Sequence, residues 1–104
     1  HIEDLCTAHL LALQKLDKNS ELVFNLGNGK GYSVREVIET VKKVSGKNVK
    51  VTEVARRAGD PAVLTADASK AKKELGWQVK YPQLEKIVET AWLWHSKNPE
   101  GYKK

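Results

Sequence analysis

The residue types able to do chemistry are concentrated in one short run, Arg56-Arg57-Ala58-Gly59-Asp60-Pro61. A guanidinium is planar and permanently charged, and its fork of N–H donors matches a phosphate or carboxylate bidentately. An aspartate three residues on, past a glycine that lets the chain turn, can accept hydrogen bonds from sugar hydroxyls. The same spacing lets Arg57 and Asp60 pair with each other across the turn, and from the residues alone both readings stand. A second candidate is the loop Gly27-Asn28-Gly29-Lys30-Gly31, which follows an apolar run and precedes a helix start, as phosphate-binding loops do. Its glycines at 27, 29 and 31 match neither G-x-x-x-x-G-K-S/T nor G-x-G-x-x-G. A turn needing positive φ accounts for them better than direct phosphate binding, and Val34, just beyond, is placed to line a ligand wall.

Other chemistries find no support in the spacing. His1, His9 and His95 lack metal-ligand spacing, and His9 and His95 are expected on or near core faces. Cys6 is the sole cysteine, which excludes an intramolecular disulfide, and it is expected to pack as a small hydrophobe. No Ser/His/Asp or Cys/His set can be assembled. Trp92 and Trp94 are expected to serve packing.

These residues need elements to position them. A first helix is expected over residues 3–16, with Glu3 and Asp4 complementing the dipole and Leu5, Ala8, Ala12 and Leu16 forming its stripe. Leu10, Leu11 and Leu13 lie off that stripe, so the helix should be buried on more than one side. Asp17-Lys18-Asn19-Ser20 is a turn cluster, and residues 22–26 read as a buried strand. Ser33 and Glu36 form a capping box for a helix that should stop at Gly46. Val49 and Val51 alternate with polar residues in a second strand up to Val54, and residues 63–65 are a third short extended stretch. Asp67 is the expected N-cap of a helix over 68–75, with Gly76 ending it and Trp77 folding back on Ala71. A last helix carries Leu84, Ile87, Val88, Ala91 and His95 as its core stripe.

Length and composition bound the rest. The 104 residues suffice for one small domain, and 40% hydrophobic with 30% charged residues excludes a wholly disordered chain. No run approaches the roughly 20 apolar residues of a membrane helix, so no membrane partner is expected. Lys+Arg number 18 against 13 acidic residues, but the basic residues do not gather with aromatics into one stripe, so solubility is favoured over nucleic-acid binding. Glu39 with Lys43 and Lys70 with Glu74 fall at the spacing of helix-surface ion pairs. The single thiol makes a reducing cytosol, hence a cytoplasmic location, the default expectation. With no methionine and an opening directly into a helix, the chain is expected to be a piece of something longer; no signal peptide is visible.

In order along the chain, these segments resemble the C-terminal part of the UDP-glucose 4-epimerase family, within the extended short-chain dehydrogenase/reductase superfamily. The resemblance rests on His1-Ile2-Glu3-Asp4-Leu5 with Ala8-His9, residues 24–34, Arg56-Arg57-Ala58-Gly59-Asp60-Pro61-Ala62, Ala66-Asp67-Ala68-Ser69-Lys70-Ala71, Leu75-Gly76-Trp77, and Thr90-Ala91-Trp92-Leu93-Trp94-His95 with Asn98-Pro99-Glu100-Gly101-Tyr102. It implies an α/β fold: a small, α-rich nucleotide-sugar (UDP) binding domain over 1–104, with two or three short strands, about four helices and no complete Rossmann domain. It implies a parent, a homodimer in galactose metabolism, that interconverts UDP-glucose and UDP-galactose by NAD-mediated hydride removal and return at sugar C4. NAD and a Tyr-x-x-x-Lys pair would belong to an N-terminal Rossmann domain outside this chain. By the family pattern Arg57 contacts the diphosphate, Asp60 the ribose hydroxyls, and Val34 packs near the nucleotide.

Departures accompany the match. The chain has no G-x-x-G-x-x-G and no Tyr-x-x-x-Lys, it opens just after a place where the family supplies another diphosphate-binding arginine, and Leu64 stands where some relatives carry a tyrosine near the sugar. The chain alone is therefore expected to be inactive and, through its apolar first helix, to self-associate. The alternatives are a piece of another NAD-dependent UDP-sugar epimerase or decarboxylase, or a free-standing interaction module sharing the fold.

Overall fold

The structure is a computed structural model that describes residues 1–16 and 21–102. The expected turn cluster at 17–20 lies outside the described residues. Among those described there are four helices: α1 (Ile2–Lys15), α2 (Val34–Ser45), α3 (Ser69–Leu75) and α4 (Leu84–Lys97). The chain divides into two units, one of His1–Gly31 with Pro61–Pro82, the other of Tyr32–Asp60 with the chain from Gln83 onward. The first holds α1 and α3, packed on each other; the second holds α2 and α4, likewise packed.

No described residue lies in a β-strand, which corrects the expectation of two or three. A strand exists only where a neighbouring chain completes its ladder of N–H and C=O groups. Residues 22–26 have the alternation without the ladder: Leu22, Phe24 and Leu26 are half-buried while Val23 and Asn25 are exposed. At 49–54 the apolar residues stay largely wet, with Val54 82% exposed.

In the first unit the core is Ala8, Ala68, Ala71 and Trp77, with Leu11, Phe24, Leu26, Leu75 and Val79 packed around it. Small residues on α1 and α3 let the two helices approach closely. Leu11 therefore belongs to the buried stripe, whereas Leu5 and Leu16, expected on it, are exposed, as are Leu10 and Leu13. Trp77 does fold back on Ala71, after Gly76 ends α3 at φ +64°. Its indole Nε1–H donates to the Asp4 carbonyl at 2.9 Å, which satisfies the one polar atom of a buried ring. Cys6 and His9 lie on the outer face of α1, contrary to the expected packing; the His9 ring donates to the Leu5 carbonyl at 2.7 Å. Ile2 starts α1 one residue before the expected place, capped by the His1 ring.

In the second unit the capping box at Ser33 and Glu36 forms as expected, and Gly46 ends α2 in the left-handed region at φ +64°. Val37, Ile38, Val41 and Val44 on α2 are half-buried, as are Leu84, Ile87 and Val88 on α4. Ala91 and His95, assigned to the α4 stripe, are exposed. Both lie on the same face as Ile87 and Val88, one and two turns further along α4, so the stripe continues but its covering does not.

Neither expected i,i+4 pair is made. Lys42 pairs with Glu39 and Lys43 with Glu85 across α2 and α4, each within the second unit. In the first unit Lys70 reaches the Val23 carbonyl at 3.0 Å and lies over the Phe24 ring. Lys15 there donates to the Glu74 carbonyl at the end of α3, where a cation complements the helix dipole.

Candidate functional site

Residues 57–60 form the turn that the sequence singles out. The Asp60 N–H donates to the Arg57 carbonyl at 3.4 Å, and Gly59 sits at φ +86°. A side chain at Gly59 would meet nothing within 4 Å, so the backbone conformation, not crowding, demands glycine there. The turn brings the two predicted residues together: Arg57 Nε–H donates to Asp60 Oδ2 at 2.9 Å, with 83% of the Arg57 side chain and 47% of the Asp60 side chain exposed. So the internal pair is formed, and the guanidinium still faces solvent with most of its surface.

Val34 opens α2 and is 77% exposed, held there by the capping box one residue earlier. It lines an open groove of about 590 Å³ with Ile38, Val51, Thr52 and the Arg35–Glu53 pair, which closes at 2.9 Å. Neither Arg57 nor Asp60 lines that groove. Thus two of the three predicted residues are joined directly, and the third, in the same unit, lines a groove that they do not. Leu64, in the other unit, is 86% exposed.

The glycine loop has another role. Only Gly29 among its three glycines has positive φ, at +82°. A Cβ on Gly27 would lie 3.1 Å from the Ala66 Cβ and 3.2 Å from the Ala66 carbonyl oxygen, and one on Gly31 would lie 2.5 Å from Thr65 Cγ2. The loop is glycine-rich because it is pressed against residues 65–66, and Asn28 braces it by donating to the Pro82 carbonyl at 3.1 Å. Close packing against residues 65–66 therefore accounts for the glycines at 27 and 31. Among the described residues no group of three or more His, Cys, Asp or Glu could hold a metal ion, and no helix is long and apolar enough to cross a membrane.

Sequence reasoning missed Asp4. It was assigned to the helix dipole, yet it is 3% exposed and its carboxylate accepts from the Lys80 N–H at 2.9 Å and the Tyr81 N–H at 3.0 Å. The signal was present: Asp4 precedes Ala8 by one helical turn and so lies on the buried stripe. Asp67, the expected N-cap, accepts from the Ser69 hydroxyl and from the Ser69 N–H at 2.9 Å, while the helix boundary falls one residue later at Ala68. The Ser69 hydroxyl, then the Ser69 N–H, and then nearby Lys72 hold the Asp67 carboxyl below its ordinary range.

A family model, GDP-mannose 4,6 dehydratase, matches residues 1–91. The chain belongs to the GDP-mannose 4,6 dehydratase family. Within it, the chain is 50% identical over 103 residues to a UDP-glucose 4-epimerase of Halalkalibacterium halodurans, a match that takes in 98% of this chain and 31% of the relative. A crystal structure of a UDP-glucose 4-epimerase superposes with a TM-score of 0.90 at 46% identity, covering 100% of this chain and 32% of that one. The UDP-glucose 4-epimerase of Bifidobacterium longum, solved in complex with NAD+ and UDP, matches with a TM-score of 0.85 at 40% identity over 98% of this chain and 30% of its own. The chain therefore spans about a third of the length of these relatives, in their C-terminal portion.

Proposed function

We propose that this chain is the UDP-binding portion of a UDP-glucose 4-epimerase, a parent enzyme that interconverts UDP-glucose and UDP-galactose. The reading is carried by the likeness to such epimerases along 98% of the chain, one of them solved with NAD+ and UDP. NAD would supply hydride removal and return at sugar C4, and the residues that hold it belong to the parent outside this chain. This chain's part is binding. Arg57 meets the diphosphate, Asp60 the ribose hydroxyls, and Val34 gives an apolar edge beside the nucleotide. The geometry supports these roles, since the Arg57 guanidinium is solvent-facing on a turn fixed by Gly59 and Val34 is exposed at a capped helix start. The isolated chain is inactive in this reading, because it brings only part of the sugar-nucleotide's contacts.

The test is Arg57→Ala in the full-length holoenzyme, assayed with UDP-galactose. A charge-assisted hydrogen bond contributes roughly 1.5–3 kcal/mol, so KM should rise by about tenfold or more with a smaller change in kcat. An unchanged KM would show that the diphosphate is held elsewhere.

A further inference from the structure

Within the binding role just proposed, Asp60 makes two contacts that a ribose contact does not require. Its Oδ2 accepts from Arg57 Nε–H at 2.9 Å, and its own backbone N–H closes the same turn on the Arg57 carbonyl. A guanidinium presents two hydrogen-bonding edges, one containing Nε and one made of the two terminal nitrogens. With Nε committed to Asp60, the terminal edge is the one left to meet two oxygens of a diphosphate. The remaining carboxylate oxygen, Oδ1, is still available in the same residue for a hydroxyl.

We infer that Asp60 is a positioning residue for Arg57: it fixes which edge of the guanidinium faces the diphosphate, independently of any contact with the ribose. The sign of the effect makes this testable. Asp60 is an anion beside an anion-binding arginine, so by charge alone its removal should tighten the binding of another anion. Loss of positioning acts the opposite way, because a free arginine must give up rotamer freedom when the ligand arrives.

The experiment measures the affinity of inorganic pyrophosphate, which has no ribose, and of UDP for the full-length holoenzyme and its variants. Asp60→Ala should weaken pyrophosphate by about twofold to fivefold, the scale of an exposed ion pair. Asp60→Asn keeps an acceptor for Nε while removing the charge, and should bind pyrophosphate at least as well as the parent. In an Arg57→Ala background, Asp60→Ala should cost pyrophosphate nothing more. Should Asp60→Ala leave pyrophosphate binding unchanged or tighter while Arg57→Ala weakens it, the positioning role is refuted and the binding role stands. If Arg57→Ala changes neither ligand's affinity, both are refuted.

Discussion

In the unit built on α1 and α3, a tryptophan, three alanines and one carboxylate are almost sealed from solvent; in the unit built on α2 and α4, neither helix has a buried residue. The first unit has its polar demands met inside. Asp4 stops the backbone of residues 80–81, and Trp77 donates back to the first turn of α1, so helix and following loop hold each other. The second unit relies on half-buried valines, leucine and isoleucines and on exposed ion pairs, which contribute about 0–1 kcal/mol each. The candidate ligand residues Arg57, Asp60 and Val34 all belong to this second, wetter unit. Groups that must meet a ligand have to stay exposed, and exposed groups add little to stability. The contrast therefore separates what holds the chain together from what it offers to a ligand.

The contrast is broken most directly at the tryptophans. Trp77→Ala should destabilise the first unit by about 3–5 kcal/mol, through the cavity and the lost bond to Asp4. Trp92, 36% exposed in the second unit, should cost clearly less as alanine. Urea unfolding of both variants decides this, and equal losses would abolish the distinction between the units. The next effect concerns charge. Asp4→Ala orphans two backbone donors, at about 1–3 kcal/mol each, whereas Arg35→Ala removes a pair whose side chains are 80% and 81% exposed and should stay within about 0.5 kcal/mol. Chemical denaturation of the two variants side by side measures the ratio.

The smallest effect is on acidity. The carboxyl of Asp67 is lowered in the folded chain, so its contribution is present above the unfolded-state value and disappears as pH falls through the folded one. The start of α3 should loosen only at strongly acidic pH. Asp67→Asn should flatten that part of the stability curve, as followed by circular dichroism across a pH series. A curve that keeps the same acid limb would assign it to another group.

Much of the local structure was readable because it depends on neighbours in sequence. Ser33 and Glu36 are three residues apart, so the capping box closes within one turn, whatever surrounds it. Gly46 and Gly76 end helices because only glycine takes positive φ without cost. The turn at Arg57 and Asp60 was legible for the same reason, although the sequence left its internal pair and its ligand role side by side. Three features were not legible. The runs at 22–26 and 49–54 have strand-like alternation, but a ladder needs a partner that a single segment cannot name. Leu11 and Leu5 exchanged places because the phase of a helix in its unit is set by what it packs against. The glycine loop looked like a set of positive-φ positions until Ala66 and Thr65, more than thirty residues away in sequence, proved to crowd Gly27 and Gly31.

By itself the sequence determined where helices start and stop, that a guanidinium and a carboxylate flank one glycine turn, and which family the motifs resemble. All of these are set by interactions within about four residues or by residue identity. Only the tertiary structure decided that Asp4 is a buried acceptor for a backbone 76 residues away, that Cys6 and His9 face outward, and that the glycines at 27 and 31 serve close packing. Those outcomes depend on which surfaces meet, and that is settled by the burial of Trp77 and its alanine neighbours rather than by any local preference.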